Sequence, residues 1–299
     1  MRSLKTLLHA SIDYAGLFPP ARLDMNGAVK NYSSYINGEH AWMLGRFIVP
    51  VDRLEEFENC AGSLLPRNES RPWRLSALAG KDMLAELQAI RCFNERHRVG
   101  SIEGNAIIET IEFRAVSVSG IESDVEATGT GFQLYVEIPV EGDPTSLIGA
   151  IKRGGAKAKV RTGGITPEAF PSSADLARFI VACVRNGVEF KATAGLHHPL
   201  RAWYRLTYEQ SGPAGVMYGF LNVFLAAALA KKGVGPEVVK ELLEELDHRA
   251  FSFDDDSISW KQHRLDVDDL GDARTTCAKS FGSCSFTEPI EELQSMGLL

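Results

Sequence analysis

Lys157-Ala158-Lys159-Val160-Arg161-Thr162-Gly163-Gly164 and Phe190-Lys191-Ala192-Thr193-Ala194-Gly195-Leu196 are two short alternating segments, each running into glycine. They read as consecutive strands that close in turns. Residues 173–186 between them carry a helix pattern, with Ser172 or Ser173 as the cap and Gly187 just past the end. Strand, helix and strand in this order form a βα unit of a parallel sheet.

The same unit recurs towards the N-terminus. Strand-like segments fall at 9–15, 44–49, 74–79, 107–115, 133–138, 157–161 and 189–194, with starts roughly 25 to 35 residues apart, the length of a strand plus its crossover helix. One intervening helix, 82–97, opens on a capping aspartate, Asp82. The glycine-rich first turn of a dinucleotide fold is missing. Seven such units predict an α/β protein, a (β/α)8 TIM-like barrel, and no linker divides residues 1–299, so one domain is expected. Extra C-terminal helices are expected near 215–231, from Pro236 to about 248, and at 287–296. For the eighth strand there are two candidates, 250–260 and 280–286, and the first is preferred.

Composition narrows the function classes. The 299 residues carry 32 Lys and Arg against 39 Asp and Glu, a net charge of -7, which excludes a chain built to coat nucleic acid or an anionic membrane. Five cysteines at scattered positions, with no CxxC spacing, suit reduced thiols and a cytoplasmic location. His9 and Asp13 interrupt the apolar start before a signal-peptide core is complete. The longest apolar run, 213–231, contains Asn222 and falls short of the roughly 20 residues that a membrane span needs.

Alternation assigns the strand faces. Ala158 and Val160, Phe190 and Ala192, and Leu134, Val136 and Ile138 suit the helix layer. Lys157, Lys159, Arg161, Glu189, Lys191, Thr193, Gln133, Tyr135 and Glu137 then face the barrel interior. Earlier strands add Ser11, Asp13, Arg46, Arg74, Ser76, Thr110, Glu112 and Arg114. Seven inward cations would thus face four acids, Asp13, Glu112, Glu137 and Glu189. Unpaired buried charge costs several kcal/mol, so the surplus points to a site for a small anionic substrate. The bland alternative is an ion-pair network near the lower face of the barrel.

Two inward lysines on adjacent strands also suggest nucleophilic chemistry. A cation beside a second cation has a depressed ammonium pKa, which yields a neutral amine able to attack a carbonyl. The pair resembles the deoxyribose-phosphate aldolase family of class I aldolases over 157–196. That family's sixth strand reads Lys-Thr-Ser-Thr-Gly and its seventh Lys-x-x-Gly-Gly. The resemblance implies a barrel lyase in which Lys159 forms a Schiff base and Lys191 lowers its pKa, with no cofactor; the residues alone leave open which lysine plays which part. The family's fourth-strand aspartate has no match here, and Glu109 and Glu112 stand nearby, Glu112 on the better face. Its glycine-serine phosphate motif has only a faint echo in Phe281-Gly282-Ser283-Cys284-Ser285. Glu112, Glu137 and Asp13 are the candidate proton-transfer groups, and Arg161, Arg46, the Gly163-Gly164 turn, His197 and His198 the candidate substrate-binding groups.

His197 and His198, just past a strand end, have no counterpart in that family. With Glu137, and with Asp13 as a further ligand, one of them would complete a divalent metal site in a metal-dependent lyase or hydrolase. A loop histidine hydrogen-bonded at the rim explains either one equally well. A third reading is a non-catalytic anion-binding barrel. The segment from Asp13 to Pro20 forms a lip over the site, Asp254-Asp255-Asp256 reads as a solvated turn, Cys284 as a structural thiol, and Asn222 as a satisfied core amide. The sequence leaves room for a homo-oligomer.

Overall fold

The computed structural model describes residues 1–80 and 82–299. Its eight barrel strands are β1 (Ile12–Tyr14), β2 (Leu44–Pro50), β3 (Trp73–Leu78), β4 (Ala106–Arg114), β5 (Gln133–Glu137), β6 (Lys157–Arg161), β7 (Phe190–Thr193) and β8 (Ala278–Ser283). All neighbouring pairs are parallel, and β8 lies between β7 and β1, which closes the sheet. The chain has the expected TIM-like barrel with extra helices towards its C-terminus, eleven α-helices in all among the described residues. None of them is long and apolar enough to cross a membrane.

The preferred eighth strand was the wrong one of the two. Residues 250–260 instead contribute to a separate three-stranded antiparallel sheet, Phe251–Phe253, Ser257–Trp260 and His263–Asp266. The acidic turn Asp254 to Asp256 breaks that segment, and its groups take hydrogen bonds from Arg2 and Ser3 at the N-terminus. Residues 278–283 form an uninterrupted extended run delivered by the helix Val267–Thr276, and they fill the gap beside β1.

Local signals fixed the other elements. Asp82 accepts from the backbone N–H of Ala85 and starts the helix Met83–Arg96. Ser172 accepts from the N–H of Asp175, and Gly187 closes the helix Ser173–Asn186 at φ 59° and ψ 41°, where a side chain would be strained. The outward strand residues Leu134, Val136, Ala158, Val160, Phe190 and Ala192 are buried against Phe179, Ile180 and their neighbours in one apolar cluster. Each fully buried large apolar side chain contributes about 1.5 to 3 kcal/mol. The helix Phe220–Lys231 is buried along its length up to Ala230. Its Asn222 is a satisfied core amide: it accepts from the N–H of Arg201 and donates to the carbonyls of Leu242 and Glu245.

Candidate functional site

The barrel interior holds two tiers of charge. Near the N-terminal ends of the strands, Arg46 and Arg74 share Glu109 at 2.7 and 2.5 Å. Lys157 and Lys279 share Glu189 at 2.8 and 3.5 Å. Glu109 reaches this tier because β4 carries one extra residue against β3: Leu75 pairs with Ile108, yet Ser76 pairs with Thr110. Strict alternation could not place it there. Arg114 points to solvent and the side chain of Arg161 is 55% exposed, while Glu109 joins the acids, so the interior cation surplus expected from alternation shrinks, and what remains of it lies in the lower tier, where four cations share two carboxylates. The lower tier is the self-paired network.

The upper tier is tighter. Lys191, fully buried, donates to Asp13 Oδ2 at 2.6 Å and to Glu112 Oε1 at 2.7 Å, with its ammonium 5.4 Å from the centre of the Tyr135 ring. Lys159 Nζ lies 2.9 Å from Glu112 Oε2 and 3.0 Å from Glu137 Oε2. One carboxylate, Glu112, thus joins both lysines, and Ser76 donates to it at 2.5 Å. Asp13 also accepts from Ser280 Oγ at 2.7 Å and from the backbone N–H of Arg46 at 2.9 Å. That last bond requires Gly45, since a Cβ there would lie 2.3 Å from Asp13 Oδ1.

These contacts set the protonation states. Burial pushes the carboxyl groups of Asp13, Glu112 and Glu137 upwards, but the adjacent cations, led by Lys191 for Asp13 and by Lys159 for the two glutamates, outweigh it and hold all three below the usual carboxylate range. Burial likewise opposes the charge on Lys159, and Glu112 and Glu137 reverse the outcome, so its pKa is raised. The expected depression by a neighbouring lysine is therefore not present in the resting site. Lys191 spends its charge on Asp13 and Glu112, and Lys159 feels two anions at closer range.

A cavity of about 730 Å³ opens over this tier at the C-terminal ends of the strands, where functional groups gather in this fold. Lys159, Glu112, Arg161, Gly163, Gly164, His197 and His198 line it. Glu137 touches both Lys159 and Arg161, the latter at 3.4 Å. Lys191 and Asp13 lie outside the lining, joined to it through Glu112. Arg46, expected to hold substrate, belongs instead to the lower tier, where Glu109 takes it. The expected lip forms, with Ala15, Phe18, Pro19 and Pro20 in the wall.

Packing explains the glycine turn. A Cβ on Gly163 would come within 2.4 Å of the Phe170 ring, and one on Gly164 within 2.7 Å of Ala169 Cβ. The short turn Pro167–Ala169 is laid directly on these residues.

The opposite wall is less charged. His197 Nδ1 lies 3.1 Å from Ser283 Oγ, whose own hydrogen goes to the carbonyl of Ser285 at 2.6 Å. Nδ1 is therefore the donor, which leaves Nε2 as the bare nitrogen. Burial, helped by His198, lowers the pKa of His197 to about 3, so the ring is neutral. His198 Nδ1 sits 2.6 Å from Glu292, and its ring stacks on Tyr204 with centroids 3.4 Å apart. Glu137 is thus committed to Lys159 and Arg161 while both histidines bond elsewhere. Among the described residues no cluster of three His, Cys, Asp or Glu side chains is placed to hold a metal ion. Cys284 also lines the cavity, 3.8 Å from His197 Nδ1, with its thiol pushed up to about 11 by burial.

Sequence reasoning missed the roof. A hairpin of Ala202–Arg205 and Ala214–Met217 follows β7 and brings Tyr204, Leu206, Tyr208 and Met217 over the cavity. The Gly212-Pro213 turn between two alternating segments was the available signal. Glu288 and Glu292 come from the last helix, Thr287–Ser295, which was expected as a helix with no part in the site. Searches of protein-family models, curated proteins and solved structures find no match to this chain.

Proposed function

We propose that the chain is an aldolase-type lyase that binds a small anionic carbonyl compound as an imine of Lys159. The observation that carries this reading is the amine itself. Lys159 Nζ is the primary amine in the cavity wall, only 8% of its side chain is exposed, and two carboxylates lie within 3.0 Å. Lysine is the side chain suited to imine chemistry, and proton acceptors within hydrogen-bond reach are what the chemistry requires.

Attack needs the neutral amine, so the proton on the resting ammonium must leave first. Glu137 is the acceptor of choice because it is less enclosed than Glu112 and so can pass the proton on to solvent. The nitrogen lone pair then forms the C–N bond, and the carbonyl π pair moves to oxygen. Water departs with both amine hydrogens, leaving C=N. Lys191 takes a positioning role: it fixes Glu112, and through Glu112 the place of Lys159. Arg161 holds the anionic group by charge-assisted hydrogen bonds. A cytoplasmic setting suits five unpaired cysteines.

Borohydride trapping tests the reading. With a panel of aldehydes and 2-oxo acids, reduction should add to one peptide, that of Lys159, the mass of the carbonyl compound less one oxygen. Because the Lys159 pKa is raised, the neutral fraction and the trapping rate should grow about tenfold per pH unit between pH 7 and 9. An unlabelled Lys159, together with stoichiometric metal in the purified protein and loss of turnover to chelator, would move the assignment to the metal-dependent alternative. Tight anion binding with neither signal would favour the non-catalytic barrel.

A further inference from the structure

We infer that the ligand of this site carries its carbonyl and its anionic group on adjacent carbons, as in a 2-oxo acid, and has an apolar body; this rests on the imine reading above. The spacing comes from Glu137. Lys159 and Arg161 stand two residues apart on β6, and their heads converge on the two oxygens of that one carboxylate, Nζ on Oε2 at 3.0 Å and Nε on Oε1 at 3.4 Å. Since one carboxylate reaches both heads, a ligand that offers an electrophilic carbon to Nζ and an anion to the guanidinium needs only a short spacing between the two.

In a 2-oxo acid the keto carbon is bonded directly to the carboxylate carbon, so one small head satisfies both groups. A phosphate several bonds from the carbonyl would overshoot Arg161. Among the described residues Arg161 has Glu137 as its single partner, so guanidinium donors remain for a ligand. Arg205, the other guanidinium of the wall, donates to the carbonyl of Gln210 and stands on the hairpin, not beside Lys159 on its strand.

The rest of the cavity describes the body. Beyond the charged head, Phe18, Ile48, Leu78, Ile165, Leu206 and Met217 give the wall a largely apolar surface, with polar groups such as His197, Tyr204, Tyr208 and Glu288 set among them. A polyhydroxylated chain laid along the apolar side chains would lose water at most positions without gaining partners. A three-carbon acid would leave most of the 730 Å³ unfilled. An aryl or branched-alkyl substituent fills it with matching surface.

The experiment compares three probes, with pyruvate as a fourth for the body, on the whole protein with cyanoborohydride, read by the mass of the Lys159 peptide. They are phenylpyruvate, phenylacetaldehyde, which has the same body without the carboxylate, and glyceraldehyde 3-phosphate. Arg161→Gln should slow trapping of phenylpyruvate about tenfold and leave phenylacetaldehyde within about twofold, since only the first uses the charge-assisted contact. Pyruvate should label about tenfold less than phenylpyruvate at equal concentration, for want of the apolar body. Equal sensitivity of both phenyl probes to Arg161→Gln, or faster labelling by the phosphorylated aldehyde, would overturn the inference and leave the imine standing. Labelling by none of the probes would remove the imine reading, and the inference with it.

Discussion

Lys191 shows what one buried residue does for this site. It is fully enclosed, yet it never touches the cavity, and its ammonium satisfies Asp13 on β1 and Glu112 on β4 at once. Replacing it by methionine keeps the volume and leaves two buried carboxylates short of a cation. The expected cost is about 3 to 5 kcal/mol, the usual penalty for breaking a buried pair from one side. Urea denaturation of Lys191→Met would measure it. Adding Asp13→Asn to that variant should recover part of the loss, because one stranded charge is removed. If Lys191→Met is as stable as the parent, the carboxylates are solvated by another route and the positioning role is wrong. Lys191, Lys159, Glu112 and Asp13 were legible as inward residues because period-two alternation needs only the neighbouring apolar partners. Their pairing was not legible, since it joins residues up to 178 positions apart.

At the scale of elements, local chemistry and tertiary closure divide the work. The helix Ser173–Asn186 has its cap, its buried face and its αL stop written in consecutive residues, and it forms where the pattern places it. Ser172→Ala removes the side-chain acceptor for the Asp175 N–H and should cost about 1 kcal/mol, seen as a lower thermal midpoint with the fold unchanged. No change in midpoint would mean that water or Asp175 itself covers the helix end. Strand β8 is the opposite case. Both 250–260 and 278–283 carry alternating residues, and nothing local distinguishes a hairpin strand from the one that closes a barrel. The choice depends on what can lie between β7 and β1, where Ser280 bonds to Asp13 and Gly282 lies beside Thr193. The bulge in β4 is similarly silent in sequence, and with it the entry of Glu109 into the lower tier.

For the molecule as a whole, the enclosed carboxylates set the acid limit of stability. Asp13, Glu112 and Glu137 have folded-state pKa values below their ordinary 3.8 and 4.5. Their contribution is therefore fully present above those values and is lost as pH falls through the folded ones, because the unfolded chain binds the protons first. Each such carboxylate adds up to about 1.4 kcal/mol per pH unit to the slope, so the three together give up to about 4 kcal/mol per unit below pH 4. Lys159 works in the other direction: with its pKa raised above 10.5, its contribution is present below that value and lost as pH rises past it. Denaturation midpoints from pH 2 to 7 should fall steeply only below about pH 4.5. Glu112→Gln should flatten that fall. A fall that begins near pH 6 would implicate histidines instead.

The barrel class, the sixth and seventh strands, and the inward placement of their lysines Lys159 and Lys191 all followed from the sequence. Each depends on short-range rules: side-chain alternation, a cap, a glycine stop and the length of a βα unit. The tertiary structure alone decided which segment closes the barrel and which charges neutralise each other. It also showed that Arg46 belongs to the lower tier while Arg161 reaches the cavity, and which hairpin roofs it. Those outcomes depend on distances between residues remote in the chain. Electrostatic energies between enclosed groups change by several kcal/mol over a few ångströms, so no local pattern could fix them.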